Sequence, residues 1–218
     1  MRYIIMCGGE YAAWESPRHL VEIHGEPIVV RTIRLLRENS IRDIAISSKH
    51  PAFSNLGVPV LKHDNNYRAK KGDDLGYWFE AFYLTDEPTC YLFGDVVYSP
   101  EAIRKIIETD TDDIEFFGSA PPYDERYIKS WPEPFAFKVV NTDHLKQAII
   151  DCRKYADLGY FWRRPIAWEL WTVIKNGELT KKRPNVYETN YTIINDYTCD
   201  VDAKEDIDLL EAATEGRI

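Results

Sequence analysis

The sequence of 218 residues is poor in the features that mark many specialised proteins. It has four cysteines (Cys7, Cys90, Cys152 and Cys199), each in an apolar run and none in CxxC spacing. That pattern excludes a disulfide framework and suits reduced, cytoplasmic thiols. Its five histidines lack HxxxH or Cys/His ligand spacing, which argues against zinc. No stretch of about 18 uncharged apolar residues occurs, so no membrane span is expected. The apolar run ahead of Gly8-Gly9, Tyr3 to Cys7, is too short for a secretory leader. Basic charge is also short: 27 Lys+Arg stand against 36 Asp+Glu, a formal net charge of −9. General nucleic-acid binding normally needs the opposite balance. The GK[ST] ending of a Walker loop, the GxGxxG fingerprint and the GxSxG elbow are all missing.

What remains is a chain with 44% hydrophobic residues, enough for a core without covalent staples. Tyr3 to Cys7 is a continuous apolar run, the pattern of a strand covered on both faces. From Pro27 the period changes: Val29, Ile33 and Leu36 line one helical face, with Arg31, Arg34 and Arg37 expected outside. Further strands are predicted at 41–47, 58–61, 91–93, 114–118 and 135–140. Helices are predicted at 74–84, 100–107, 142–156, 166–175 and 202–212. This alternation predicts an α/β fold, a single domain over 1–218 with a mostly parallel, doubly wound sheet flanked by helices. The proline-rich stretch 121–134 reads as a long functional loop.

Three places carry residues suited to chemistry. In an open α/β sheet ligands bind beyond the carboxyl ends of the strands, so the loop after the first strand would floor a site. Its Gly8 and Gly9 let phosphate oxygens approach backbone N–H groups, and Arg18 adds a fixed cation; a glycine turn plus a surface arginine is the plainer alternative. Asp95, after Gly94 at the end of a buried strand, is placed to hold Mg²⁺ or merely to cap a turn. Asp200 and Asp202 alternate, so an extended segment projects both to one side, as a hard cation would require. Asp202 with Glu205 also reads as a capping box for the last helix. Basic clusters at 68–71, Arg163-Arg164 and 181–183 have solvated surface as their default, although an anionic substrate would need some of them. The aromatic run 160–168 gives no ligand of its own.

Taken in order, these sites resemble the nucleotidyltransferase superfamily with the glycosyltransferase-A-type fold. The resemblance rests on Met6-Cys7-Gly8-Gly9, Pro17-Arg18-His19-Leu20, Gly25-Glu26-Pro27, Gly94-Asp95 and Asp202-Ala203-Lys204-Glu205-Asp206, and it spans the chain. The run from Pro17 to Leu36 is similar to the methylerythritol-phosphate cytidylyltransferases, which leans the donor towards CTP. The resemblance implies Mg²⁺-dependent transfer of a nucleotidyl group from a nucleoside triphosphate to a phosphorylated sugar, alditol or similar acceptor, with pyrophosphate released. It implies Arg18 and Asp95 as catalytic groups, Asp95 and Asp202 as metal ligands with Asp200 beside them, and Cys7, Gly8, Gly9, Gly72 and Asp73 on the nucleotide. An acceptor pocket over the second half of the sheet would draw on Lys129 and Arg163. The sequence departs from the family in two ways: Gly9 to Ser16 lacks an arginine, and the signature lysine is Arg18. Two alternatives stay open, a glycosyltransferase on the same fold and a non-catalytic nucleotide-binding domain. The first would usually carry Asp-x-Asp where this chain has Asp95-Val96-Val97.

Overall fold

In chain order the strands are β1 (Arg2–Met6), β2 (Glu22–Ile23), β3 (Glu26–Pro27), β4 (Ile44–Ser47), β5 (Val60–Leu61) and β6 (Thr89–Phe93). They continue with β7 (Val96–Val97), β8 (Ile114–Gly118), β9 (Pro134–Val139), β10 (Thr192–Ile193) and β11 (Cys199–Asp200). The helices are α1 (Ile28–Glu38), α2 (Pro100–Glu108), α3 (Thr142–Asp157), α4 (Ala167–Asn176) and α5 (Lys204–Thr214). This is a computed structural model, which describes residues 1–8, 14, 16–63, 77–188 and 190–215.

Seven strands form the main sheet in the order β10-β8-β9-β6-β1-β4-β5. The runs without polar alternation, β1 and β6, lie next to each other and are buried on both faces, as a covered parallel strand must be. Pairings are parallel except at β9, which runs antiparallel to both β6 and β8. The expected α/β class and mostly parallel sheet are therefore observed, with one reversed strand inside it. That reversal positions the site, because the segment leading into β9 arrives at the same sheet edge as the carboxyl ends of β1 and β6. The hydroxyl of Tyr98 fastens this edge, accepting from Phe93 N–H at 3.0 Å and donating to the Phe135 carbonyl at 2.5 Å.

A large apolar core fills both sides of the sheet, and all four cysteines are buried and unpaired within the fold. A smaller cluster joins Ile23, Ile28, Val97, Cys199, Val201 and Leu210, packing α5 and the β7–β11 ribbon onto the start of α1. No described helix is long and apolar enough to cross a membrane.

Two local expectations are corrected. Arg31 is buried rather than outside, with Nε donating to the Tyr98 carbonyl and Nη2 donating to the Tyr197 hydroxyl at 3.2 Å. The helix expected over 74–84 is, in its described part, only a 3-10 turn at Trp78–Ala81 followed by extended Phe82; residues 74–76 lie outside the described residues. Phe79 and Phe82 both enter the core there, and aromatic packing overrides the weak helical pattern.

Candidate active site

β1 and β6 end side by side, Met6 in register with Phe93, and the chain leaves each through Cys7-Gly8 and Gly94-Asp95. Gly94 is required for this closeness. A Cβ there would lie 2.6 Å from both the Cys7 Sγ and the Met6 carbonyl, and 3.0 Å from His19. Its N–H also donates to the Met6 carbonyl at 3.1 Å. The β7–β11 ribbon then brings the chain's last segment alongside, with Val201 N–H donating to the Asp95 carbonyl at 2.9 Å.

On this frame the cation and the two aspartates singled out by sequence meet. Arg18, in a 3-10 turn at Arg18–Leu20, is buried; its Nη1 donates to Asp202 Oδ1 at 2.8 Å and its Nη2 to Asp95 Oδ2. Next to this triad lies a second cation in a cage of carboxylates. Lys129 Nζ stands 2.6 Å from Asp200, 3.0 Å from Glu133, 3.3 Å from Asp202 and 3.4 Å from Asp206. Asp200 and Asp202 do project to one side, and Lys129 sits between them.

Protonation follows from this crowding. Burial and the neighbouring Asp200 push the Glu133 carboxyl up to about 9, against the pull of Lys129. Burial also raises Asp200. Burial tends to raise exposed-edge Asp202 too, but Lys129 and Arg18 outweigh it and hold that carboxyl below its usual range. The Lys129 ammonium loses solvation by burial, yet Asp200 and Glu133 more than restore its proton. His19, adjacent to Arg18 in sequence, is fully buried. Burial and the Arg18 charge push its imidazole down to about 4, although Asp95 opposes them.

The donor set fits a hard divalent cation. Among the described residues, Asp95, Asp200, Asp202, Asp206 and Glu133 gather around two cations, Arg18 and Lys129, leaving a surplus of carboxyl oxygen. Ligand atoms of Glu133, Cys199 and Asp200 lie within 4.8 Å of one another. Burial raises the Cys199 thiol strongly, so it stays protonated and the useful donors there are oxygens.

Not every expected residue converges. Gly9, Gly72 and Asp73 lie outside the described residues; Cys7 and Gly8 are at the edge, Cys7 buried and Gly8 half-buried. Lys129, expected on the acceptor side, lies within the carboxylate cluster. Arg163 belongs to another network, its Nε donating to Glu169 at 2.9 Å and its Nη2 to the Tyr187 hydroxyl at 3.3 Å. The capping box is corrected by one residue: Ala203 is the N-cap of α5, and Asp206 Oδ2 accepts from the N–H groups of Asp202 and Ala203. Asp202 is thereby released from capping to face Arg18. Glu133, Asp206 and His19 were not anticipated as members of the cluster. A carboxylate flanked by Pro132 and Pro134 at the mouth of a strand was the one available signal for Glu133.

Known structures share this fold. One is the inositol-1-phosphate CTP transferase from T. maritima, with 15% identity, a TM-score of 0.54, and coverage of 99% of this chain and 96% of that one. The chain shares its fold with structures named as nucleotidyl transferases. HddC from Yersinia pseudotuberculosis, crystallised with GMP-PN, matches at 14% identity and a TM-score of 0.54, over 98% of this chain and 99% of that one. A protein assigned as a glucose-1-phosphate thymidylyltransferase from Bacillus anthracis, crystallised with sucrose, matches at 15% and 0.53, over 97% and 94%. No protein-family model and no curated protein matches the chain.

Proposed function

We propose that this chain is a cytoplasmic nucleotidyltransferase. It moves a nucleotidyl group from a nucleoside triphosphate, with CTP the first donor to test, onto a phosphorylated sugar, alditol or similar small molecule. The observation that carries this reading is the meeting of Arg18 with Asp95 and Asp202 at the carboxyl edge of β1 and β6. The fold shared with structures named as nucleotidyl and CTP transferases supports it. In the reaction an acceptor phosphate oxygen forms a bond to the α-phosphorus. The bond from that phosphorus to the bridging oxygen breaks, and pyrophosphate leaves with its electron pair.

Asp95 and Asp202 would hold Mg²⁺, with Asp200 beside them. The ion would supply charge neutralisation for the triphosphate and its leaving group. Arg18 supplies a planar cation to the same phosphates, and Cys7, Gly8, Gly9, Gly72 and Asp73 are assigned to the nucleotide. Lys129 and Arg163 are the acceptor-side cations of this reading, one within the acidic cluster and one beyond it. Such chemistry depends on position and charge, which this cluster of fixed groups provides.

The test is direct. The protein is incubated with each triphosphate, Mg²⁺ and a panel of phosphorylated sugars and alditols, and pyrophosphate is measured. Release that requires both substrates is expected. Absence of release from every pair overturns the proposal.

A further inference from the structure

Two stretches set aside in the sequence as solvated basic clusters come together in space. The aromatic–arginine run around 161–163 and the segment 183–187 that follows α4 enclose a pocket of about 420 Å³, within the range of small-molecule sites. Trp162, exposed over three quarters of its surface, and Tyr187 give it aromatic walls, and two guanidinium groups, Arg163 and Arg183, line it.

The two arginines are held differently. Arg163 is oriented by Glu169, a buried carboxylate whose other oxygen accepts the Ile166 N–H at 2.9 Å ahead of α4. That pair is locally neutral, so the pocket's net positive charge belongs to Arg183. The Arg183 guanidinium carbon lies 3.7 Å from the centre of the Trp162 ring. Stacking engages the face of the guanidinium and leaves its N–H edge free to donate. Among the described residues that edge has no carboxylate or hydrogen-bond partner. The backbone is fixed too: Arg183 has φ +58, uncommon for a residue with a side chain, and its N–H donates to the Tyr160 carbonyl at 2.5 Å. A cation held in a left-handed turn, flat on an exposed indole and facing a cavity, is arranged to receive an anion.

We infer that this pocket binds a phosphate monoester, Arg183 taking the phosphate with help from the outer N–H groups of Arg163, and Trp162 and Tyr187 covering its carbon body. Contacts link the pocket to the acidic cluster. The Tyr187 ring packs on Trp168 and Trp168 on Tyr191, at 5.2 and 5.1 Å between ring centres. The Tyr191 hydroxyl donates to the Ser119 carbonyl at 3.1 Å, and Ser119 Oγ accepts the Glu133 N–H at 2.9 Å. The inference deepens the proposed function: it names the pocket as the place where the phosphorylated acceptor is recognised, and it rests on that reading for the acceptor's role.

Fluorescence of Trp162 reports on its own site, so binding is followed by titrating the protein with a hexose 1-phosphate and with inorganic phosphate, and Trp162→Leu identifies the signal. Arg183→Asn removes the guanidinium while keeping a residue that tolerates the left-handed backbone. The expected result is a saturable signal in the wild type, lost in Trp162→Leu, with affinity for the hexose phosphate ten- to a hundredfold weaker in Arg183→Asn. Affinity for Mg²⁺-triphosphate should not change. A signal from inorganic phosphate alone would give the pocket to the free ion and overturn recognition of the monoester. Unchanged hexose phosphate affinity in Arg183→Asn would overturn the inference outright. If pyrophosphate is released with an acceptor whose KM ignores Arg183→Asn, the pocket assignment fails and nucleotidyl transfer stands. If the monoester binds through Arg183 but no pair releases pyrophosphate, the pocket stands and the transferase reading fails.

Discussion

Arg18 reaches Asp202 across 184 positions of sequence, Nη1 to Oδ1 at 2.8 Å, while the same guanidinium contacts Asp95. One fixed cation thus sits on the two carboxylates proposed to hold the metal, and each member can be tested separately.

Asp95→Asn keeps the side-chain volume and an acceptor oxygen for Arg18 but removes the charge that would balance a divalent ion. Pyrophosphate release should fall below detection while circular dichroism and cooperative unfolding remain those of the folded protein. Arg18→Ala should lower kcat about 10²–10³-fold, more than it weakens triphosphate binding, if its charge is used mainly as negative charge builds on the leaving phosphates. A loss confined to KM would make Arg18 a ground-state contact.

Asp202 and Asp206 should separate function from helix capping. Asp206 accepts both N–H groups ahead of α5, so Asp206→Ala should cost about 1 kcal/mol, with a further loss from Lys129. Asp202→Asn leaves those bonds intact and should abolish turnover with little change in the denaturation midpoint. The reverse pattern would return Asp202 to a purely structural role.

Gly94→Ala places a methyl group 2.6 Å from the Cys7 sulfur and the Met6 carbonyl, neither able to move without disturbing β1. Overpacking of this kind costs about 1–3 kcal/mol. The variant should lose turnover as well as stability, since Asp95 is the next residue. Full activity at reduced stability would detach the site from this contact.

His19 makes stability depend on pH. Its imidazole is pushed down to about 4 in the fold, against 6.5 when unfolded. Below pH 6.5 the unfolded chain takes up a proton that the folded chain refuses. The contribution is therefore complete above pH 6.5 and is lost as pH falls towards 4, a difference of about 3 kcal/mol at 1.36 kcal/mol per unit. Urea denaturation of wild type and His19→Gln between pH 4 and 7.5 should show a shallower acid slope in the variant. Parallel curves would refute the assignment.

Much of this frame is legible from residues alone. The apolar runs at β1 and β6, the helical period of α1 and the order of Arg18, Asp95 and Asp202 all point to one sheet edge. The direction of β9 is not legible, because Phe135-Ala136-Phe137 has the same buried pattern whichever way the strand runs. With that direction unknown, Lys129 and Glu133 cannot be placed at the carboxyl edge. The short strands β10 and β11 are equally silent, since two residues carry no period. Asp202 drew a capping role through its spacing to Glu205, whereas the helix starts one residue later and takes Asp206 instead.

The ribbon of β7 and β11 also makes the site a joint product of distant parts of the chain. Asp200 lies in β11 and Asp202 two residues on, and they reach Lys129 and Arg18 with β11 paired to β7. A change that loosens that two-residue pairing would therefore reach the charge balance of both cations without touching a charged side chain.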